Sequence, residues 1–329
     1  MAVEWISKKM IIGNGKTKTS EDFIFSKGTM NEHFVGIQAF LSKYKGDSHH
    51  CVGELGIEFK SSLKDGNIIQ VELTQTLNDA SSHALDTTES WVQVVVIAQM
   101  NMTDSNVSFG NIGMTGEQYK TKVDEFQENL ISVSACLGSF HSHFFSSSNK
   151  LVDHNINSIG ASCSAEPQNR SALLNANILI KQNAETVSTT KRLDLNIIRI
   201  ATGLNAGLAM RTVHFTSGKA GVAHLNSTKE VEFDFEVVSA IALITGFEMK
   251  YEGADTHNVG TIMVGASKWD NTKYLSGSAD INGANPAIKI DKKKVTITSN
   301  ASMFEMSNST KTKNESDSNK VTYLIIAIP

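Results

Sequence analysis

Residues 244–267 read ITGFEMKYEGADTHNVGTIMVGAS, and the chain says nearly the same thing again close to its start. Residues 37–56 read IQAFLSKYKGDSHHCVGELG. Without a gap, the two stretches share Phe40/Phe247, Lys43/Lys250, Tyr44/Tyr251, Gly46/Gly253, His50/His257, Val52/Val259 and Gly53/Gly260. A third, more worn copy lies between them: HNINSIGAS at residues 154–162 echoes HNVGTIMVGAS at residues 257–267. Internal repetition of this kind points to an architecture built from like units.

Working outward, each copy is followed by the same events. Ile69, Val71 and Leu73 alternate with polar residues, as a half-buried strand requires. ILI at 178–180 and VTI at 295–297 occupy the same place in the later units. A polar loop then leads to an apolar closing strand: VQVVVIA at 92–98, IIRIA at 197–201 and LIIA at 324–327. Val94, Val96, Ile198, Ile200, Ile325 and Ala327 are expected in its core. The units are therefore residues 1–100, 101–203 and 204–329. About 100 residues with five or six short strands suits a small antiparallel sandwich. The expected fold is all-β: three tandem antiparallel β-sandwich domains related by internal repeat.

Two segments break the pattern. In the second unit, Thr115 and Gln118 have capping-box spacing, and Tyr119, Val123, Phe126 and Leu130 follow at helical intervals. They suggest a short helix over 117–130; the competing reading is a strand matching residues 231–235. The third unit carries a long insertion, residues 268–286, rich in Gly, Asn, Asp and Ser and holding Trp269 and Tyr274.

Composition narrows the function classes. Of 329 residues, 40% are hydrophobic and 19% charged, enough apolar material for real cores. The net charge of −4 carries no basic footprint, which argues against a nucleic-acid partner. No apolar run approaches the ~18 residues of a membrane span. The first residues, MAVEWISKKM, lack the apolar core of a secretion signal. The expected location is cytoplasmic, with a non-classical release route or assembly into a particle as alternatives. Cys51, Cys136 and Cys163 are odd in number and share no CxxC spacing, so no disulfide framework is expected.

Chemistry is sparse. His50, His154 and His257 recur at one place, with His49, His141 and His143 nearby. His141-x-His143 on a strand would put both rings on one face. A metal needs three or four converging ligands, and no second cluster shows ligand spacing. No metal and no cofactor are therefore expected, and the repeated histidine reads as a residue packed in a turn. Glu230, Glu232, Asp234 and Glu236 alternate with apolar residues and form one solvated strand face. No nucleophile elbow, zinc-protease or dinucleotide motif occurs, so the chain is not expected to be an enzyme.

Loop aromatics remain. Trp269, Asp270, Asn271 and Tyr274 offer flat rings and hydrogen-bonding groups for a sugar. The second candidate is the repeated turn, Tyr44, Asp47 and His50 with its copy Tyr251, Asp255 and His257.

The third unit resembles the H-type lectin domain in its order of segments: VEFDFEVVSAIALITGFEMKYEG, a Gly/Asn-containing middle, VTITSNASMFEM and a final VTYLIIAI. The resemblance covers residues 231–328, and the earlier units less clearly. It implies a six-stranded sandwich that binds carbohydrate and typically assembles as a trimer, here copied by three units around a pseudo-threefold axis. The chain departs from the family in lacking the usual Pro before the second strand and in its longer segment between Gly265 and Lys294. The expected function is a non-enzymatic, lectin-like protein whose loops contact glycans or a cell surface. The alternatives are a self-assembling subunit of a particle, fibre, tube or crystalline inclusion, and a toxin component. A pore former would need a long amphipathic hairpin, which the sequence lacks.

Overall fold

The computed structural model describes residues 3–26, 28, 30–46, 49–100, 107–116, 118–123, 130–146, 148, 150–182, 190–203, 206–217, 225–251, 257–266, 287–307, 311–316 and 318–329. Among them there is no helix. The first repeat supplies β1 (Val3–Met10), β2 (Lys18–Ile24), β3 (Met30–Lys43), β4 (Glu54–Asp65), β5 (Ile68–Asn78) and β6 (Trp91–Met100). The second supplies β7 (Val107–Thr115), β8 (Gln118–Val123), β9 (Ser132–Phe145), β10 (Ser158–Gln168), β11 (Ser171–Lys181) and β12 (Thr190–Thr202). The third supplies β13 (Ala209–Thr216), β14 (Leu225–Glu232), β15 (Ser239–Lys250), β16 (Thr261–Ala266), β17 (Ile288–Asp291), β18 (Lys294–Ser307), β19 (Lys311–Glu315) and β20 (Ser318–Ile328).

All strand pairs are antiparallel, and the three sheets run β1-β6-β3-β16-β18-β14, β13-β20-β15-β10-β11-β8 and β2-β5-β4-β9-β12-β7. The orders hold one rule. The first two repeats place their first, sixth and third strands in one sheet and their fourth, fifth and second in another; the third repeat does the same with β13, β20 and β15, and with β16, β18 and β14. These two halves pack face to face as a sandwich, as β3 does on β5 and β15 on β18. Each half also continues edge to edge into a half from the neighbouring repeat. The three sandwiches thus close into a cycle, held by three seams: β3/β16, β15/β10 and β9/β4.

Local chemistry accounts for the strands. β5 alternates buried and half-buried residues without exception, the period of two made physical. Its hairpin with β4 turns on Gly66-Asn67, and the equivalent hairpins turn on Asn169-Arg170 and Lys292-Lys293. In each the first loop residue has positive φ, at 21°, 57° and 52°, as a two-residue turn between twisted strands demands. The closing strands β6, β12 and β20 sit in the middle of their three-stranded halves. Val94, Val96, Ile198, Ile200, Ile325 and Ala327 are all buried there.

On the cycle's axis the third strands of the repeats meet. Phe40, Phe140 and Phe247 form a closed triad, with ring centroids 5.5, 5.5 and 5.4 Å apart. All three are buried, and each such burial contributes roughly 1.5–3 kcal/mol. Each of the three strands carries a bulge two residues before its Phe, at Gln38, Gly138 and Thr245, and this turns the ring onto the axis.

One expectation changes. The described part of 117–130 is a strand, β8, paired with β11, so the helix reading fails there. Tyr119 and Thr121 point inward while Gln118 and Lys120 are exposed, and the unpaired edge of β11 satisfies the backbone more readily than an isolated helical turn could. Residues 124–129 lie outside the described residues. The insertion, residues 268–286, lies outside the described residues, but its flanks are placed. Ala266 pairs with Ser299, Thr298 donates its N–H to the Ala287 carbonyl, and Ile288 pairs with Ile297. β16 and β17 are therefore collinear halves of one strand, equivalent to β4 and β10, and the insertion leaves the middle of a sheet.

Candidate functional site

The axis ends in a ring made from the repeated turn. His50 and Val259 exchange two backbone hydrogen bonds, as do Val52 with His154 and Ile156 with His257, all between 2.8 and 3.1 Å. The three segments form a closed triangle, one side from each repeat. Each histidine lies against an aromatic ring of its own repeat: His50 on Tyr44 at 5.0 Å, His154 on Phe144 at 4.9 Å and His257 on Tyr251 at 4.5 Å. At the centre, the Cys51 thiol lies 3.1 Å from Asn155 Oδ1 and 3.4 Å from Asn258 Oδ1. Burial, followed by the charges of Asp153 and Asp79, pushes the Cys51 thiol up. Burial alone pushes Cys136 up to about 12.

This geometry places the repeated-turn candidates. Tyr44 and Tyr251 are buried, so neither offers a ring face to a sugar, and the Tyr44 hydroxyl donates to the Cys51 carbonyl at 2.9 Å. His50 and His257 instead meet carboxylates: His50 Nδ1 lies 3.5 Å from Asp79 and His257 Nδ1 3.2 Å from Glu305. Asp79 also holds His83 Nδ1 at 2.5 Å, and the rings of His50 and His83 stack 3.6 Å apart. Asp47, Asp255, Trp269, Asp270, Asn271 and Tyr274 lie outside the described residues.

The seams carry the remaining chemistry. Each pairs two strands over a short stretch, and each presents the same register positions to the outside. In the β9/β4 seam, Glu54 faces His143 and Gly56 faces His141. In the β15/β10 seam, Ser158 faces Lys250 and Gly160 faces Glu248. In the β3/β16 seam, Thr261 faces Lys43 and Met263 faces Leu41. Sequence reasoning left Glu54, Asp79 and His83 out. No local spacing links Glu54 to His141, because the two are 87 positions apart and belong to different repeats, whereas Asp79 and His83 stand only four apart.

In the β9/β4 seam, His141 Nε2 lies 2.7 Å from Glu54 Oε1, and His141 Nδ1 lies 3.5 Å from Glu58. Asn78 Nδ2 donates to the other Glu54 oxygen at 2.9 Å. The His141 hydrogen bond holds the Glu54 carboxyl below its usual range, against the opposing effect of burial. For His141, burial is the largest influence and favours the neutral ring. The Glu54 hydrogen bond and the charges of Glu58, Glu54 and Asp194 outweigh it, so the imidazole pKa is raised.

The β15/β10 seam has a different character. The pairing ends at Ser162 and Gly246, and beyond it the two halves of the sheet part. The cleft between them has a volume of about 780 Å³, with Val133, Ser134 and Ala135 of β9 among its lining residues. Ser162, Ser164, Asn175, Asn177, Thr212 and Thr322 contribute hydroxyls and amides to its walls, and Tyr119 a ring. At the equivalent point of the β3/β16 seam the pairing also stops, at Gly265, and the insertion departs one residue later. Compared with protein-family models and with curated proteins, the chain matches no family and no individual protein.

Proposed function

We propose that the protein is a non-enzymatic, lectin-like binding module, and that the cleft of the β15/β10 seam takes a neutral, hydroxyl-rich ligand, namely a segment of glycan. The observation that carries this reading is the cleft's lining: nine neutral hydroxyl or amide side chains and one tyrosine ring, with Lys120 and His214 as its basic groups, in a volume typical of small-ligand sites. Such groups exchange hydrogen bonds with sugar hydroxyls at little desolvation cost, and the ring offers an apolar face. The resemblance to H-type lectins supports the same reading, since the repeats share one antiparallel sandwich plan and the three surround one axis.

A glycan array tests it. Wild-type protein should give a signal that an Asn177→Ala, Tyr119→Ala variant loses while its melting temperature stays within a few degrees. Trp269 and Tyr274 belong to the insertion that leaves the first sheet at the equivalent of this cleft. If only a Trp269→Ala, Tyr274→Ala variant loses the signal, the ligand is a glycan but the site is the insertion. A wild type without signal ends the lectin reading. The assembly reading then comes first, favoured by β1, β14, β13, β8, β2 and β7, which end the sheets among the described residues, and by Ile24 exposed on β2. Size-exclusion chromatography with light scattering would then show large particles.

A further inference from the structure

We infer that Glu54, His141 and His143 form a binding site for one divalent transition-metal ion of the zinc type, clamped across the seam between the first and second repeats. Two imidazoles and a carboxylate are a donor set that suits such an ion, with further positions left for water or a ligand. The donor atoms all lie within 4.8 Å of one another, so small side-chain rotations bring them onto one centre. The His141 and His143 rings are 4.9 Å apart and tilted by 48°, and tilted rings can aim their in-plane lone pairs at one point. The neighbouring group of His50, Asp79 and His83 is as dense, but its two rings stack with only 16° between them, and stacked lone pairs run side by side.

The surroundings are built to hold the set. Gly56 lies opposite His141, and a Cβ there would come within 2.7 Å of His141 Cδ2, so the missing side chain is what lets this ring lie across β4 and reach Glu54. Asn78 orients Glu54 from the far side, at 2.9 Å. Glu58 stands 3.5 Å from His141 Nδ1, placed to act as the outer carboxylate of a metal-bound histidine once the ion displaces the Nε2 proton that now bonds Glu54. His143 is buried, and the Glu54 and His141 side chains are 22% and 16% exposed, so the centre is sheltered yet reachable from solvent. The other seams hold Ser158, Lys250 and Glu248, or Thr261, Lys43 and Leu41, at these register positions. The pseudo-threefold fold therefore carries this site once.

The test uses the full chain, stripped with chelator, dialysed and titrated with zinc in a calorimeter, with the melting temperature read alongside. The expected result is one ion per chain at this site, a raised melting temperature, and no response to magnesium or calcium. His143→Gln and Glu54→Gln should weaken zinc binding at least a hundredfold while the metal-free variants keep the wild-type β spectrum. Glu58→Gln, which removes no ligand, should weaken it about tenfold. His83→Asn should leave this binding unchanged. Stripped, folded protein that takes up no zinc would overturn the inference. So would zinc binding that survives His143→Gln and Glu54→Gln but is lost in His83→Asn.

Discussion

The β9/β4 and β3/β16 seams have one backbone plan and opposite chemistry. Both pair a third strand with a fourth strand from another repeat, at the same register. In the first, the outward positions hold Glu54, His141 and His143: Glu54 and His141 are hydrogen-bonded to each other and partly exposed, and His143 is buried beside them. In the second, Met263 and Leu41 stand there, packed with Ala39 and Trp91 into a small core of their own, all buried. Lys43 nearby is paired with Glu89. The contrast teaches that backbone pairing alone is enough to close the cycle. The side chains over each seam are free to differ, one seam being sealed by apolar packing and the other kept polar.

Substitutions can break that contrast, and the largest effect belongs to the apolar seam. Met263→Asp buries a carboxylate among Ala39, Leu41 and Trp91, and should cost roughly 4 kcal/mol or more. Chemical denaturation should show the loss as a lower midpoint. A midpoint within error of wild type would mean that the Met263 cluster is open to water.

The seam glycines come next. At Gly265, with φ of +140°, a Cβ would stand 2.2 Å from Ala39 Cα, a backbone atom that cannot step aside. Gly265→Ala should cost about 2–4 kcal/mol, adding strain to overpacking. At Gly56 the obstacle is the His141 ring, which can swing away, so Gly56→Ala should cost only about 1 kcal/mol. Its larger effect should be a loss of the His141 to Glu54 contact, visible as a shift of the His141 ring resonances. Equal melting temperatures for the two variants would contradict the difference.

The smallest effect is the pH dependence of the polar seam in metal-free buffer. The His141 pKa is raised above its ordinary 6.5, so its stabilisation is fully present below that pH and fades as pH rises through the raised value. The Glu54 pKa is lowered from 4.5, so its stabilisation is present above that pH and fades as pH falls through the lowered value. The pair should therefore contribute most between pH 4.5 and 6.5, on the order of 1 kcal/mol. The stability difference between wild type and Glu54→Gln, measured from pH 3 to 9, should peak in that window. A flat difference would show that the contact carries no charge.

Much of this architecture was readable from residue order. Repeated Phe40 and Phe247, Tyr44 and Tyr251, and His50 and His257 announced like units, and period-two alternation in Ile69, Val71 and Leu73 announced strands, because both are local or self-comparing signals. The helical spacing of Tyr119 and Val123 misled, since an open edge on β11 outweighed a weak local preference. Nothing local could foretell that a repeat divides its strands between two sheets, or that Glu54 meets His141 and His143. Those contacts depend on which edge pairs with which and at what register, and pairing between distant segments leaves no periodic trace along the chain. Recurrence and alternation thus settled the class of fold and the burial of its closing strands. The seams, the cleft and the histidine–carboxylate centre came only with the closed cycle, where strand edges from different repeats satisfy one another's hydrogen bonds.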